Sequence, residues 1–224
     1  MQNYFLFFKN NIYYDNIYMV VELKKKKFFK DKKTMIIQII LFFILLGCFV
    51  FVGTRNYSKK VLKDSVRFDK EFNVGKDNVF VYVTASDAYK HVQEDNAIII
   101  FGLKNSKWVS SYVKIVSDVA SKVGIDKIYY FDITADREDR NGSYQSIVKY
   151  LEDYITYLDD GRANLYAPTI LVKKDGLIYY FNDDTALSKG MITAEEYWNE
   201  YHKNLAINEL TDVFNYYVGE KDGE

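Results

Sequence analysis

The feature that most constrains this chain is an uninterrupted apolar run from Met35 to Gly53. The run holds 19 residues with one polar side chain, Gln38, and no charge. As a helix rising about 1.5 Å per residue it is about 28 Å long, close to the hydrocarbon core of a bilayer. In lipid a single segment satisfies its backbone groups only as a helix. The sequence therefore predicts a transmembrane helix over 35–53.

The charges on the two sides of this run predict its orientation. Residues 24–33, KKKKFFKDKK, hold seven lysines and one aspartate. Lysine-rich flanks remain in the cytoplasm, although five basic residues within 54–67 reduce the asymmetry. We expect a single-pass cell-membrane protein with a basic N-terminal segment (1–34) inside and the C-terminal domain outside the cytoplasm. Residues 1–18 are either disordered or extraneous, with Met19 and Met35 as alternative starts.

Cys48 is the only cysteine in the chain, and it lies inside the apolar run. The sequence Leu45-Leu46-Gly47-Cys48 resembles a bacterial lipobox, and the 12 residues from Met35 to Leu46 suit the apolar region of a signal sequence. Two features argue against a lipobox. Leu46 is large where a lipobox usually has a small residue, and residues 49–52 continue the apolar run beyond the cysteine. The length of the run favours an uncleaved anchor, with lipidation at Cys48 as the alternative.

Composition excludes several classes of function. A single cysteine excludes an intrachain disulfide, a Cys-x-x-Cys pair and a multi-cysteine zinc site. Residues 78–224 carry a net charge of −9 against +8 for residues 1–77. Because phosphate binding needs clustered basic residues, we expect no nucleic-acid partner for the C-terminal part. We also expect no metal and no cofactor.

Beyond a polar, basic stretch over 54–77, which we predict to be a stalk, the chain alternates strands and helices as far as residue 218. A short tail (219–224) follows. Apolar runs predict strands at 80–83, 97–101 and 127–133, and Asp175-Gly176 predicts a hairpin between two further strands. Helices are predicted after Thr84, between Ser106 and Gly124, over 143–158 and from Thr193 to about Tyr217, the last with a break as an alternative. The predicted order is βαβαβαββα.

Two local segments resemble the thioredoxin-like fold family. Ile98–Gly102 followed by Ser106–Val109 looks like the strand and helix start that carry two cysteines in thioredoxins. Ala167–Gly176 looks like their cis-proline strand and hairpin, and Pro168 is the only proline in the chain. The resemblance covers about residues 78–217 and includes small bacterial proteins of the bacteriocin transport accessory type. It implies a three-layer α/β domain. The stretch from Ala135 to Gly161 is longer than in a minimal thioredoxin and suggests an enlarged third helix.

The residues at the two cysteine positions are Ser106 and Val109. Disulfide exchange needs a thiolate that attacks sulfur, and neither residue supplies one. We therefore do not expect an oxidoreductase, nor an enzyme of another kind.

The resemblance also implies a groove that binds an extended peptide by strand addition. Its residues are Ser106, Trp108, Val109, Ala167, Pro168 and Thr169. An equally weighted interpretation is that Ser106 only caps a helix, Trp108 covers a loop and Pro168 is a relic of the fold. We expect a redox-inactive peptide-binding or accessory module. The alternatives are an oxidoreductase that uses a partner's cysteine and a structural subunit of a membrane assembly.

Overall fold

The computed structural model describes residues 32–157, 161, 163–183 and 192–219. The predicted basic segment therefore lies outside the described residues up to residue 31, and the predicted tail does so from residue 220. The chain divides into two units, Met1–Tyr57 and Ser58–Glu224. Helix α1, Lys32–Phe72, begins in the first unit and ends in the second.

In the first unit, α1 contains the predicted apolar segment. Met35–Thr54 is the one stretch of the described residues that is long and apolar enough to cross a membrane. Its side chains are exposed, as shown by Phe49, which is 79% exposed. Length and composition of this kind fit a single-pass anchor and also fit a signal sequence.

The second unit is a mixed α/β domain built on a five-stranded sheet. Its strands are β1 (Phe80–Tyr82), β2 (Ala97–Gly102), β3 (Ile128–Asp132), β4 (Thr169–Lys174) and β5 (Leu177–Asn182). The spatial order is β1-β3-β2-β4-β5. Strands β1, β3 and β2 are parallel, and β4 and β5 run antiparallel to their neighbours.

Burial and backbone angles explain why the sequence of β2 is continuously apolar and why a hairpin joins β4 to β5. Strand β2 is buried at every position because it lies in the middle of the sheet, which explains its continuous apolar sequence. Asp175 and Gly176 join β4 to β5 with φ angles of 53° and 81°. Two positive φ angles are typical of a two-residue hairpin turn, and the predicted hairpin is confirmed.

Six helices follow α1 in the described residues. They are α2 (Ala85–His91), α3 (Lys107–Val123), α4 (Thr134–Asp139), α5 (Gly142–Tyr150), α6 (Ala194–Tyr197) and α7 (Glu200–Val218). The ends of α3 are those that the sequence predicts. The Ser106 side chain caps its first turn, and Gly124 ends it in the left-handed conformation with φ 83°.

Two neighbouring lysines on β4 show that the helices form a layer on each face of the sheet. The Lys173 ammonium donates to the carbonyl oxygen of Val92, after α2, and to the hydroxyl of Tyr150 on α5, both at 2.9 Å. The Lys174 ammonium donates instead to carbonyl oxygens of α7, those of Tyr216 and Tyr217. Because successive strand residues point to opposite faces, α2 and α5 cover one face, and α7 covers the other together with α3, which packs on it.

The end of α1 belongs to the core, so the predicted stalk over 54–77 is wrong from about residue 61 onward. Phe68 and Phe72 are buried. The Phe68 ring stacks on Phe80 of β1 at 4.1 Å and meets the ring of Tyr130 edge-on at 5.0 Å. Phe68 and Phe72 are four residues apart and so lie on one face of the helix. The exposed charged residues between and before them, Lys63, Arg67 and Lys70, gave the segment the composition of a stalk.

The helix predicted over 143–158, and the enlargement suggested over 135–161, differ from the structure, which describes this stretch except residues 158–160 and 162. The chain forms two short helices, α4 and α5, separated at Arg140, which ends α4 in the left-handed conformation with φ 48°. The Asn141 side chain then caps α5, which ends at Tyr150. Leu151 and Ile155 are buried as predicted, but they lie in turns after the helix.

Candidate functional site

The sheet register brings the six predicted groove residues to one end of the sheet. Thr169, the first residue of β4, pairs with Phe101 near the end of β2. Helix α3 begins five residues after the end of β2. Its first turn, which contains Ser106, Trp108 and Val109, therefore lies at the same sheet end as Ala167 and Pro168. The Ala167–Pro168 peptide bond is cis.

The start of α3 is an ordinary capped helix end with no reactive group. Ser106 is extended, with φ −89° and ψ 121°, and its Oγ accepts a hydrogen bond from the backbone N–H of Val109 at 3.4 Å. Asn105 precedes it with φ 59°, a left-handed conformation that asparagine tolerates well. The capping role expected for Ser106 is therefore present.

Burial divides the six residues into two groups. Ser106 and Trp108 are partly exposed, whereas the other four side chains are buried: Val109, Ala167, Pro168 and Thr169. The Thr169 hydroxyl donates to the carbonyl oxygen of Tyr166 at 2.9 Å. Only Ser106 and Trp108 of the six thus present side chains to solvent.

Helix α6 lies beside Trp108, an arrangement that the sequence analysis did not anticipate. The Trp108 ring is 5.3 Å from the ring of Tyr197. The ammonium of Lys107 pairs with the carboxylate of Glu195 at 2.8 Å. Helix α6 is held by a reciprocal capping box between Thr193 and Glu196. The Thr-x-x-Glu spacing was the sequence signal for this helix, but nothing in the sequence showed where it would pack.

These contacts lower the pKa values of two neighbouring carboxyl groups. The hydrogen bond from Lys107 is the main cause for Glu195, and the backbone N–H of Thr193 is the main cause for Glu196. Both side chains are therefore ionised at neutral pH, and both favour the packed position of α6 in that form.

Beneath the site, Gly102 gives room to a buried tyrosine. A β-carbon at Gly102 would overlap the ring and hydroxyl of Tyr130. Burial, with a smaller effect from Asp132, raises the pKa of the Tyr130 hydroxyl far above its usual value. That hydroxyl has no hydrogen-bond partner among the described residues.

Asp132, at the end of β3, is bonded to the turn that follows the strand. Its carboxylate accepts hydrogen bonds from the backbone N–H and the hydroxyl of Thr134, the former at 3.1 Å. This contact fixes the turn into α4.

Sulfur and metal chemistry have little support in the described part of the chain. Cys48 is an exposed free thiol within the Met35–Thr54 stretch of the first unit. Among the described residues, no group of three or more His, Cys, Asp and Glu side chains is placed to hold a metal ion.

Comparison with known proteins adds no family. No protein-family model matches the chain, and no curated protein sequence matches it. The fold and the site therefore define a mixed α/β domain that follows an apolar N-terminal helix.

Proposed function

We propose that this chain is a membrane-anchored, redox-inactive thioredoxin-like protein that binds an extended peptide or a partner protein outside the cytoplasm. The observation that carries the proposal is the sheet order β1-β3-β2-β4-β5, with three parallel strands and a terminal antiparallel hairpin. Helix α3 directly after β2 and Pro168 directly before β4 add to the likeness. Fold alone does not fix activity, so the site residues have to carry the rest.

The residues at the site favour binding over disulfide exchange. Ser106 caps α3 and Val109 is buried, so neither position offers a nucleophilic sulfur. The single cysteine of the chain, Cys48, lies in the apolar segment of the other unit. A redox role would therefore require a thiol from another protein.

The contact surface that we propose is narrower than the groove predicted from sequence. It consists of Ser106, Trp108 and the exposed turn residues Lys104 and Asn105. The four buried groove residues support this surface from beneath. A partly exposed tryptophan at the start of a helix is a suitable anchor because aromatic side chains dominate binding energy at protein interfaces.

The lysine-rich residues 24–33 support the proposed side of the membrane. Basic flanks remain in the cytoplasm, which places the chain after residue 54 on the opposite side if Met35–Thr54 spans the bilayer.

The test is site-specific photo-cross-linking in native membranes. A benzophenone amino acid replaces Trp108 in the full-length protein, and a matched probe replaces Leu177, which is 73% exposed at the hairpin turn on the opposite end of the sheet. We expect one specific adduct from position 108 and none of the same mass from position 177. An adduct from position 177 alone would overturn the proposal.

A substitution that keeps the helix cap but changes the contact surface gives a second test. Ser106→Asp adds a charge to the surface but keeps an N-cap side chain, so the fold is retained. We expect it to abolish the adduct at position 108. An insulin-reduction assay, with and without membrane extract, should be flat; reduction that depends on this protein would contradict the redox-inactive assignment.

A further inference from the structure

A second concave feature lies behind α6, between α3, β5 and α7. It is a cavity of about 60 Å³, more than the room that one water molecule needs. Its lining includes five aromatic rings and one carboxylate, those of Tyr112, Tyr180, Tyr197, Trp198, His202 and Glu209. The Tyr112 and Trp198 rings stack at 5.8 Å, and those of Tyr197 and His202 at 4.5 Å, which makes this wall well packed.

Two nitrogen atoms of this wall have no hydrogen-bond partner among the residues that the structure describes. They are Nε1 of Trp198 and Nδ1 of His202. Trp198 is 5% exposed, so water outside the protein does not satisfy its indole nitrogen. An indole N–H can only donate, and it therefore requires an acceptor that the described residues do not supply. Buried polar groups in proteins are nearly always paired, so this one points to an occupant.

The same cavity also presents an acceptor with spare capacity. The Glu209 carboxylate accepts one hydrogen bond from the Tyr180 hydroxyl at 3.2 Å. Two carboxylate oxygens have about four lone-pair positions, which leaves room for a further donor. The occupant should therefore both accept from Trp198 and donate to Glu209.

Charge and polarity exclude most small groups. An anion would face the carboxylate of Glu209, and a cation would leave the Trp198 N–H without an acceptor. A hydrocarbon would satisfy neither. A neutral carboxamide offers a carbonyl oxygen and N–H groups in one plane, and it can pair with Nδ1 of His202 in either tautomer.

We infer that this cavity binds a neutral carboxamide, that of an asparagine or glutamine side chain in a bound peptide. That the carboxamide belongs to a peptide rests on the proposed function. That the cavity binds a carboxamide rests on the cavity alone. The contact between Trp108 and Tyr197 places the cavity wall next to the proposed contact surface. One extended peptide that binds at that surface would therefore lie beside the wall of the cavity.

The chain contains two tryptophans, which gives the test an internal control. The ¹⁵N-labelled full-length protein in detergent micelles is titrated with propionamide, and separately with propionate, while the two indole N–H signals are recorded. We expect propionamide to cause a saturable shift of the Trp198 signal, assigned by its loss in Trp198→Phe, with no comparable shift of Trp108. Equal shifts of both signals, equal effects of propionate, or no saturable shift would overturn the inference. A long-lived water contact to the Trp198 indole without amide binding would do the same.

A second variant removes the charge without removing the acceptor. Glu209→Gln should reduce the preference for propionamide over propionate by about tenfold or more, since the repulsion of the anion is lost. Glu200→Gln, on the same helix outside the cavity, should leave the preference unchanged. An unchanged preference in Glu209→Gln would contradict the role of Glu209.

The source of the amide is tested with a capped glutamine, N-acetylglutamine methylamide. Tighter binding than propionamide supports a peptide ligand, and equal affinity overturns the peptide as the source. This measurement is independent of cross-linking at position 108. Amide binding without a cross-link refutes the proposed contact surface alone, and a cross-link without amide binding refutes the cavity alone.

Discussion

At the scale of single residues, Gly102 is the one described glycine at which an added β-carbon would overlap another side chain. Its missing side chain is the space into which the Tyr130 ring and hydroxyl fit at the end of β2. The glycine is not required by an unusual backbone angle, so its role is steric. Substitutions there act on packing beneath the candidate site.

We expect Gly102→Ala to destabilise the protein by about 1–3 kcal/mol, as overpacked cores do. The measurement is urea unfolding of the full chain in detergent. Gly142→Ala is the matched control because a β-carbon there meets nothing within 4 Å. It starts helix α5, so the control should be neutral or slightly stabilising. Equal stability of the two variants would contradict the steric role.

Residue-level signals in the sequence predicted some positions and missed others. Ser106 and Gly124 mark the ends of α3 because their preferences are strong and local. Arg140 ends α4 in a left-handed conformation that nothing in its residue type favours. Local helix-end hydrogen bonds accompany it, since the backbone N–H groups of Arg140 and Asn141 both donate to the carbonyl oxygen of Asp136. Backbone bonds of this kind do not depend on residue type, so the sequence does not predict the position.

At the scale of elements, α6 is a short helix whose cap and whose contact with α3 each use a carboxylate. The hydrogen bonds to Glu195 and Glu196 lower their pKa values below the ordinary 4.5. A lowered carboxyl pKa contributes stability that is fully present above the ordinary value and is lost as the pH falls through the lowered value. Acid should therefore loosen α6 from the start of α3.

We expect iodide quenching of tryptophan fluorescence to increase below about pH 4, when these carboxylates become protonated. Glu195→Gln/Glu196→Gln should remove the pH-dependent step, since glutamine still completes a capping box but does not titrate there. Glu200→Gln should retain the step. A step that persists in the double variant would assign it to other groups.

The end of α1 is the second element whose contribution can be measured. Phe68→Ala removes a ring that contacts Phe80 and Tyr130, and we expect a loss of about 3–5 kcal/mol. Leu62→Ala on the same helix, where the side chain is 66% exposed, should change the stability by less than about 0.5 kcal/mol. Thermal unfolding of both variants gives the comparison. Similar melting temperatures would mean that this segment is dispensable.

The groove shows which features of the helices and strands can be predicted from the sequence and which cannot. The hairpin, the buried central strand and the start of α3 were readable because each has a local pattern. The burial of Val109 and Ala167 could not be predicted from such patterns, because it depends on which neighbouring side chains pack on them. The position of α6 beside Trp108 likewise depends on contacts between residues far apart in the chain.

At the scale of the whole molecule, the apolar stretch Met35–Thr54 is long and apolar enough to cross a membrane. Ile40→Lys with Leu45→Lys places two charges in it, each costing about 2.5–3.5 kcal/mol at the centre of a membrane helix. We expect the wild-type chain to stay in membranes after alkaline carbonate extraction and the double variant to be released. Retention of the double variant would contradict a spanning anchor.

Cys48→Ser separates a spanning anchor from a lipid anchor. We expect it to remain in the membrane fraction and the wild type to incorporate no labelled fatty acid, because the apolar run is long enough to span by itself. Release of Cys48→Ser into the soluble fraction would establish lipidation instead.

The packing of the end of α1 in the core has a consequence for proteolysis. The loop after α1 contains exposed residues such as Asn73, Gly75 and Lys76 and offers a protease an accessible segment. A cut there would separate the sheet from Phe68 and Phe72, which are buried within it. Cleavage at this loop would therefore remove part of the hydrophobic core, whereas a cut before about residue 58, where the second unit begins, would leave that core complete.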